Sequence, residues 1–194
     1  MQKISPSDFL TEVLQSTHEP RDHHDGVQPE NHGSVFHEEG QILTNLALVL
    51  GGDALEIGTC LGISTRYISE GLDVHGSGNV HTVDIHPEFL FDASWPRITQ
   101  HTCNSAYFPC RPFKWAFIDG DHKYPGVVTD IEIALECSCN YLIFHDTSPI
   151  VESVQKVSDA RKAVLDNLKE SEWELFDITT HCGMIYARRR PQND

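Results

Sequence analysis

Apolar residues in this chain fall into short runs closed by glycine or acid, and helically spaced apolar residues lie between the runs. Ile42, Leu43, Leu46, Leu48 and Val49 recur at helical intervals and predict a helix over Glu38–Leu50, stopped by Gly51-Gly52. The runs predict strands at Ala54–Ile57, Val80–Asp84, Ile98–Cys103, Trp115–Asp119 and Tyr141–Phe144. Trp173–Asp177 and Met184–Ala187 read as a closing hairpin. Helices are expected around Ser64–Glu70, Val127–Glu136 and Glu152–Lys169. Strands alternating with helices imply an α/β domain with a mostly parallel sheet and helices on both faces. In such a sheet, ligands sit at the carboxyl ends of the strands.

The first 37 residues differ. Ser5 and Asp8 resemble a helix N-cap with an acidic third position, followed by Phe9, Val13 and Leu14 at helical spacing. Residues 18–37 are polar and rich in turn formers. They include His18, His23, His24, His32 and His37, which are expected to be solvated rather than to bind metal. The expected division is a helix and polar arm or lid over 1–37, one domain over 38–188 and a basic tail over 189–194.

A chain of 194 residues suffices for one well-buried domain. The formal net charge of −15 disfavours nucleic acid and anionic membrane as partners, since both select a basic face. A small molecule is the expected partner. The six cysteines show no paired metal spacing, and Cys137–Cys139 is only a weak zinc signal. No signal peptide or membrane-length apolar run is visible, so free thiols in a cytoplasmic setting are expected.

Chemistry concentrates at the strand ends. Ala54–Ile57 carries Glu56 and runs into Gly58 and Gly62, and Ser64 opens the next helix. A strand, glycine turn and helix N-terminus form a nucleotide-sized site from backbone alone. Three residues separate the glycines, unlike G-x-G-x-x-G, which suits a nucleoside cofactor better than a dinucleotide. Asp84 ends the second strand, 22 residues after Gly62, and is suited to a ribose hydroxyl pair. A helix cap before Pro87 is the plainer alternative.

The fourth strand ends in Asp119, Asp121 and His122, and the fifth in His145 and Asp146. Neighbouring parallel strands end side by side. Asp119, His145 and Asp146 can therefore converge on one divalent cation, with His122 placed as a base. Capping of the following helices is again the plainer alternative.

ALEIGTCLGIST, VHTVDIHP, FIDGDHKY and YLIFHDT, in this order, resemble the class I S-adenosylmethionine-dependent methyltransferases. The likeness is closest to small metal-dependent O-methyltransferases of the macrolide-sugar and catechol types, and covers about residues 38–188. It implies a doubly wound, Rossmann-like seven-stranded sheet with an antiparallel C-terminal hairpin strand. It implies S-adenosyl-L-methionine bound by Glu56, Gly58, Thr59, Gly62, Ser64, Asp84, Ile85, His86, Asn104, Ser105 and Asp119. It further implies a divalent metal, Mg²⁺, Mn²⁺ or another, on Asp119, His145 and Asp146, and His122 as general base. One departure stands out: the first residue of the strand-five pair is commonly acidic in the metal-dependent groups, and here it is His145. A histidine ligand favours softer ions or no ion.

The expected reaction is O-methylation of a small hydroxylated acceptor, with the arm closing as a lid and a homodimer possible. Phe36, His37, Tyr107, Phe108 and Tyr124 are candidate pocket walls. Two other functions fit the same residues: a two-histidine-one-carboxylate iron oxygenase, and a methyltransferase-like binding module without chemistry. A nicotinamide dehydrogenase is disfavoured by the missing G-x-G-x-x-G.

Overall fold

The computed structural model describes Thr11, Val13 and residues 18–26, 34–148 and 158–191. Most of the helix expected after Ser5, and the start of the one expected from Glu152, lie outside these residues. The elements are α1 (His37–Leu50), β1 (Ala54–Ile57), α2 (Ile63–His75), β2 (Val80–Asp84), β3 (Ile98–Thr102), β4 (Trp115–Ile118), α3 (Tyr124–Glu136), β5 (Tyr141–Phe144), α4 (Ala160–Asn167), β6 (Trp173–Ile178) and β7 (Met184–Arg189).

One seven-stranded sheet has the order β3-β2-β1-β4-β5-β7-β6. The first five strands pair in parallel, and β7 runs antiparallel between β5 and β6. The expected mostly parallel doubly wound sheet is the observed one. The strand order reverses between β1 and β4, which opens a crevice at their carboxyl ends.

The two-residue period of a strand divides the core between the faces. In β4, Trp115 and Phe117 join α1 and α2 through Leu43, Leu46, Tyr67 and Leu72. Ala116 and Ile118 join the opposite face, with Val127, Ile131 and Ala163. Both faces are covered, so the central strands read as unbroken apolar runs rather than as alternation.

Helix α2 extends beyond its expected end at Glu70, because Gly71 is a packing position rather than a stop. A side chain there would stand 2.2 Å from the carbonyl oxygen of Thr44 on α1. The helix ends instead at Gly76, in the left-handed conformation. Helix α3 starts three residues earlier than expected, with Pro125 in its first turn.

Two expectations fail. The thiols are not all free: Cys110 and Cys137 form a disulfide, tying the segment before β4 to the end of α3. This also removes Cys137 from any zinc pair. Cys139 is buried, and burial pushes its thiol up to about 12. The histidines of the arm are not all solvated either. His23 and His24 are buried. His18 and His23 reach the Glu70 carboxylate on α2, at 3.1 and 2.8 Å. Arg66, also on α2, donates to the His23 carbonyl and to Asp25. The polar composition of this segment therefore reflects docking onto polar groups of α2. Among the described residues, no helix is long and apolar enough to cross a membrane.

Candidate active site

A cavity of about 680 Å³ opens at the carboxyl ends of β1, β2 and β4. Among the residues expected at a cofactor, it is lined by Gly58, Thr59, Ser64, Asp84, Ile85, Asn104, Ser105 and Asp119, and His122 joins them. The loop after β1 makes its floor. Gly58 has φ of +103°, and a Cβ there would lie 2.2 Å from the Asp119 carbonyl oxygen. Only glycine lets the two strand ends approach this closely.

Asp84 organises the same loop. Its Oδ2 accepts the backbone N–H groups of Thr59 and Cys60, each at 2.9 Å, and its Oδ1 accepts that of His86 at 2.8 Å. No helix begins here, so Asp84 is not a helix cap; it closes a turn and borders the cavity. Asn104 caps a short 3₁₀ turn, Ser105–Tyr107, by accepting the Ala106 N–H.

Five expected residues stand off the cavity wall: Glu56, Gly62, His86, His145 and Asp146. Glu56 is fully buried behind it and accepts the hydroxyls of Ser64 and Thr65 at the start of α2, at 2.6 and 2.5 Å. Burial raises its carboxyl to about 7 against these bonds. Glu56 thus braces the helix N-terminus from behind the cavity wall. Gly62 ends the loop with φ of +70°, packed toward Phe91. His86 is exposed and contributes its amide to Asp84. His145 is buried and approaches through Asp119. None of the five candidate wall residues lines the cavity. Phe108 is buried in the core, and Tyr107 points into solvent at 82% exposure. Their neighbours line it instead: Val35 beside Phe36, and Ser105 and Ala106 beside Tyr107.

At the tips of β4 and β5 the structure brings Asp119, His122, His145 and Asp146 together. Asp119 Oδ1 lies 3.2 Å from His145 Nδ1 and 3.6 Å from His122 Nε2. Asp146 lies 3.2 Å from His122 Nε2 and 3.6 Å from His145 Nδ1. Asp146 adopts φ of +54°, a left-handed conformation uncommon outside glycine, which turns the chain at this point. Burial opposes charge on Asp119, but the His145 and His122 rings outweigh it and hold its carboxyl down at about 2. The nearby Asp119 carboxylate raises His122 above its ordinary value, against burial. Burial and the Asp119 charge raise Asp146.

Sequence reasoning missed two groups. Glu39, on α1, is completely buried and receives the other side of His145: Nε2 lies 2.9 Å from Glu39 Oε2. Asp130, on α3, lines the cavity and accepts the Ser105 hydroxyl at 2.6 Å. Burial raises its carboxyl to about 6. Acids within amphipathic helices usually face solvent, so no local pattern marks either residue.

Residues 55–147 match the family described as a methyltransferase domain. The sheet that contains this segment has the Rossmann-like fold of the class I S-adenosylmethionine-dependent methyltransferases. Three solved structures show the breadth of the likeness. The S-adenosylhomocysteine-bound methyltransferase PaMTH1 of Podospora anserina superposes with a TM-score of 0.64 at 11% identity, over 95% of this chain and 88% of that one. The Bacillus cereus O-methyltransferase in complex with S-adenosylhomocysteine gives 0.61 at 20%, over 96% and 93%. TomG, the Streptomyces achromogenes O-methyltransferase involved in tomaymycin synthesis, in complex with S-adenosylmethionine, gives 0.61 at 16%, over 97% and 92%. At these identities the likeness establishes the fold. No curated protein matches the sequence.

Proposed function

We propose that the chain is an S-adenosylmethionine-dependent O-methyltransferase of a small hydroxylated molecule, with a divalent cation at Asp119, His145 and Asp146 and with His122 as base. The convergence of these four side chains beside the cavity carries the reading. One ligand atom from each of Asp119, His145 and Asp146 lies within 4.8 Å of the others. Adjacent ligands about 2.1 Å from one octahedral ion stand roughly 3 Å apart, so observed separations of 3.2 and 3.6 Å fit a shared ion. His122 is outside that set, which favours a base over the second histidine of an iron oxygenase.

The Gly58–Thr59 loop, Asp84, Asn104 and Ser105 would hold the cofactor, and its sulfonium supplies an activated methyl group. The acceptor oxygen forms a bond to the methyl carbon as the carbon–sulfur bond breaks, and S-adenosylhomocysteine leaves. His122 takes the hydroxyl proton. In the absence of a cation, Asp119 and Asp146 strengthen the hold of His122 on its own proton. Asp119, His145 and Asp146 would hold a cation that supplies Lewis acidity to the acceptor hydroxyl, and with the two carboxylates so engaged the His122 ring would be free to act as a base. Ser34 and Val35 place the arm at the cavity wall, in keeping with a lid over the acceptor.

The test incubates the protein with S-adenosylmethionine and a panel of catechols, phenols and sugars, and measures S-adenosylhomocysteine formation. Turnover of at least one hydroxylated acceptor, abolished by EDTA and restored by one divalent ion, is expected. Full activity in EDTA removes the metal. Failure of wild type to bind S-adenosylhomocysteine by calorimetry overturns the reading as a whole and leaves no role for the cofactor residues.

A further inference from the structure

The geometry points to Glu39 as a positioning residue that fixes the ring of His145 so that Nδ1 is its metal-facing atom. This rests on the proposed cation site and adds a residue 106 positions away in the chain.

Glu39 is saturated as an acceptor. Oε2 receives the Phe36 N–H at 2.9 Å and faces His145 Nε2 at 2.9 Å. Oε1 receives the Thr180 hydroxyl at 2.8 Å and the Cys182 N–H at 3.0 Å. These donors come from the start of α1 and from the turn between β6 and β7, so the carboxylate is gripped from two elements. A carboxylate so placed only accepts, and His145 Nε2 must therefore carry hydrogen. His145 is itself buried, and its amide is held by the Ile118 carbonyl at 3.2 Å, so the ring has little freedom to turn.

With Nε2–H committed to Glu39, Nδ1 faces Asp119 at 3.2 Å and Asp146 at 3.6 Å. A bare nitrogen lone pair cannot face two carboxylates at those distances without a positive centre between them, either a proton or a metal ion. The carboxylate–imidazole–ligand arrangement is the one by which an outer carboxylate fixes a ligating histidine's tautomer and raises its basicity. A second arrangement competes with it. Cys182 and Glu39 also group with His145, on the Nε2 side. The saturation of Glu39 by four donors disfavours an ion there.

Ring ¹⁵N NMR of wild type titrated with Zn²⁺, alongside calorimetry of the same titration, reads this directly. The expected result is an Nε2 that stays protonated while the Nδ1 resonance of His145 shifts on binding. In Glu39→Gln, Zn²⁺ affinity should fall about 10- to 100-fold, with S-adenosylhomocysteine affinity within about twofold of wild type as the check on folding. If this variant does not fold, the wild-type spectrum alone decides. Zn²⁺ binding with Nδ1–H retained and Nε2 shifted, or with neither nitrogen responding, overturns the role of Glu39 and leaves the cation site standing. No Zn²⁺ binding to wild type overturns the cation site itself.

Discussion

A Cβ at Gly58 would stand 2.2 Å from the carbonyl oxygen of Asp119. The loop that floors the cavity and the strand end that carries the acidic cluster are thus in backbone contact, and a change in one displaces the other. Gly58→Ala combines this clash with φ of +103°. Loss of roughly 2–4 kcal/mol of unfolding free energy is expected in chemical denaturation. Wild-type stability in this variant would show that the strand ends are not in forced contact.

Asp84 holds two amides of the loop with one oxygen and a third with the other. Charge-assisted bonds of this kind contribute about 1.5–3 kcal/mol each. Asp84→Ala should weaken S-adenosylhomocysteine binding at least tenfold by calorimetry, through loss of loop order as well as of any direct contact. Unchanged affinity would remove Asp84 from the cofactor site.

His122 is the most exposed member of its cluster and lines the cavity. His122→Ala should lower kcat about 10²- to 10⁴-fold, with S-adenosylhomocysteine affinity retained. The rate is read with whichever acceptor the wild type turns over. A fall in affinity alone, with kcat preserved, would assign the residue to binding rather than proton transfer.

Asp130 makes stability depend on pH. Its folded carboxyl titrates at about 6 against an ordinary 3.8, raised by burial. A raised pKa means that the folded state binds the proton more tightly than the unfolded state. This contribution is complete below about pH 4 and is lost as pH rises through about 6. The difference corresponds to about 3 kcal/mol. Asp130→Asn keeps an acceptor for Ser105 and cannot ionise. The variant should match wild type near pH 4 and exceed it in unfolding free energy near pH 7.5. Parallel stability curves for the two proteins would refute the assignment.

The alternation of buried strands and helices was legible from the sequence, because side-chain periodicity and glycine stops are local. Runs such as Trp115–Ile118 have to be apolar on both faces once helices cover both. The convergence of Asp119, His122, His145 and Asp146 was legible for a related reason. In a parallel sheet the ends of β4 and β5 are adjacent whatever the loops do. What lay beyond local pattern were groups whose partners are distant in sequence. Gly71 reads as a helix stop until α1 is packed against it. His23 and His24 read as solvated until Glu70, Arg66 and the Val35 carbonyl receive them and their neighbours. Cys110 finds Cys137, and Glu39 finds His145, only when separate elements close on one another. The sequence by itself determined the order of elements and which side chains stand at the strand tips. Only the tertiary structure decided which polar groups are buried, because a buried charge is tolerated only where folding delivers every partner it needs.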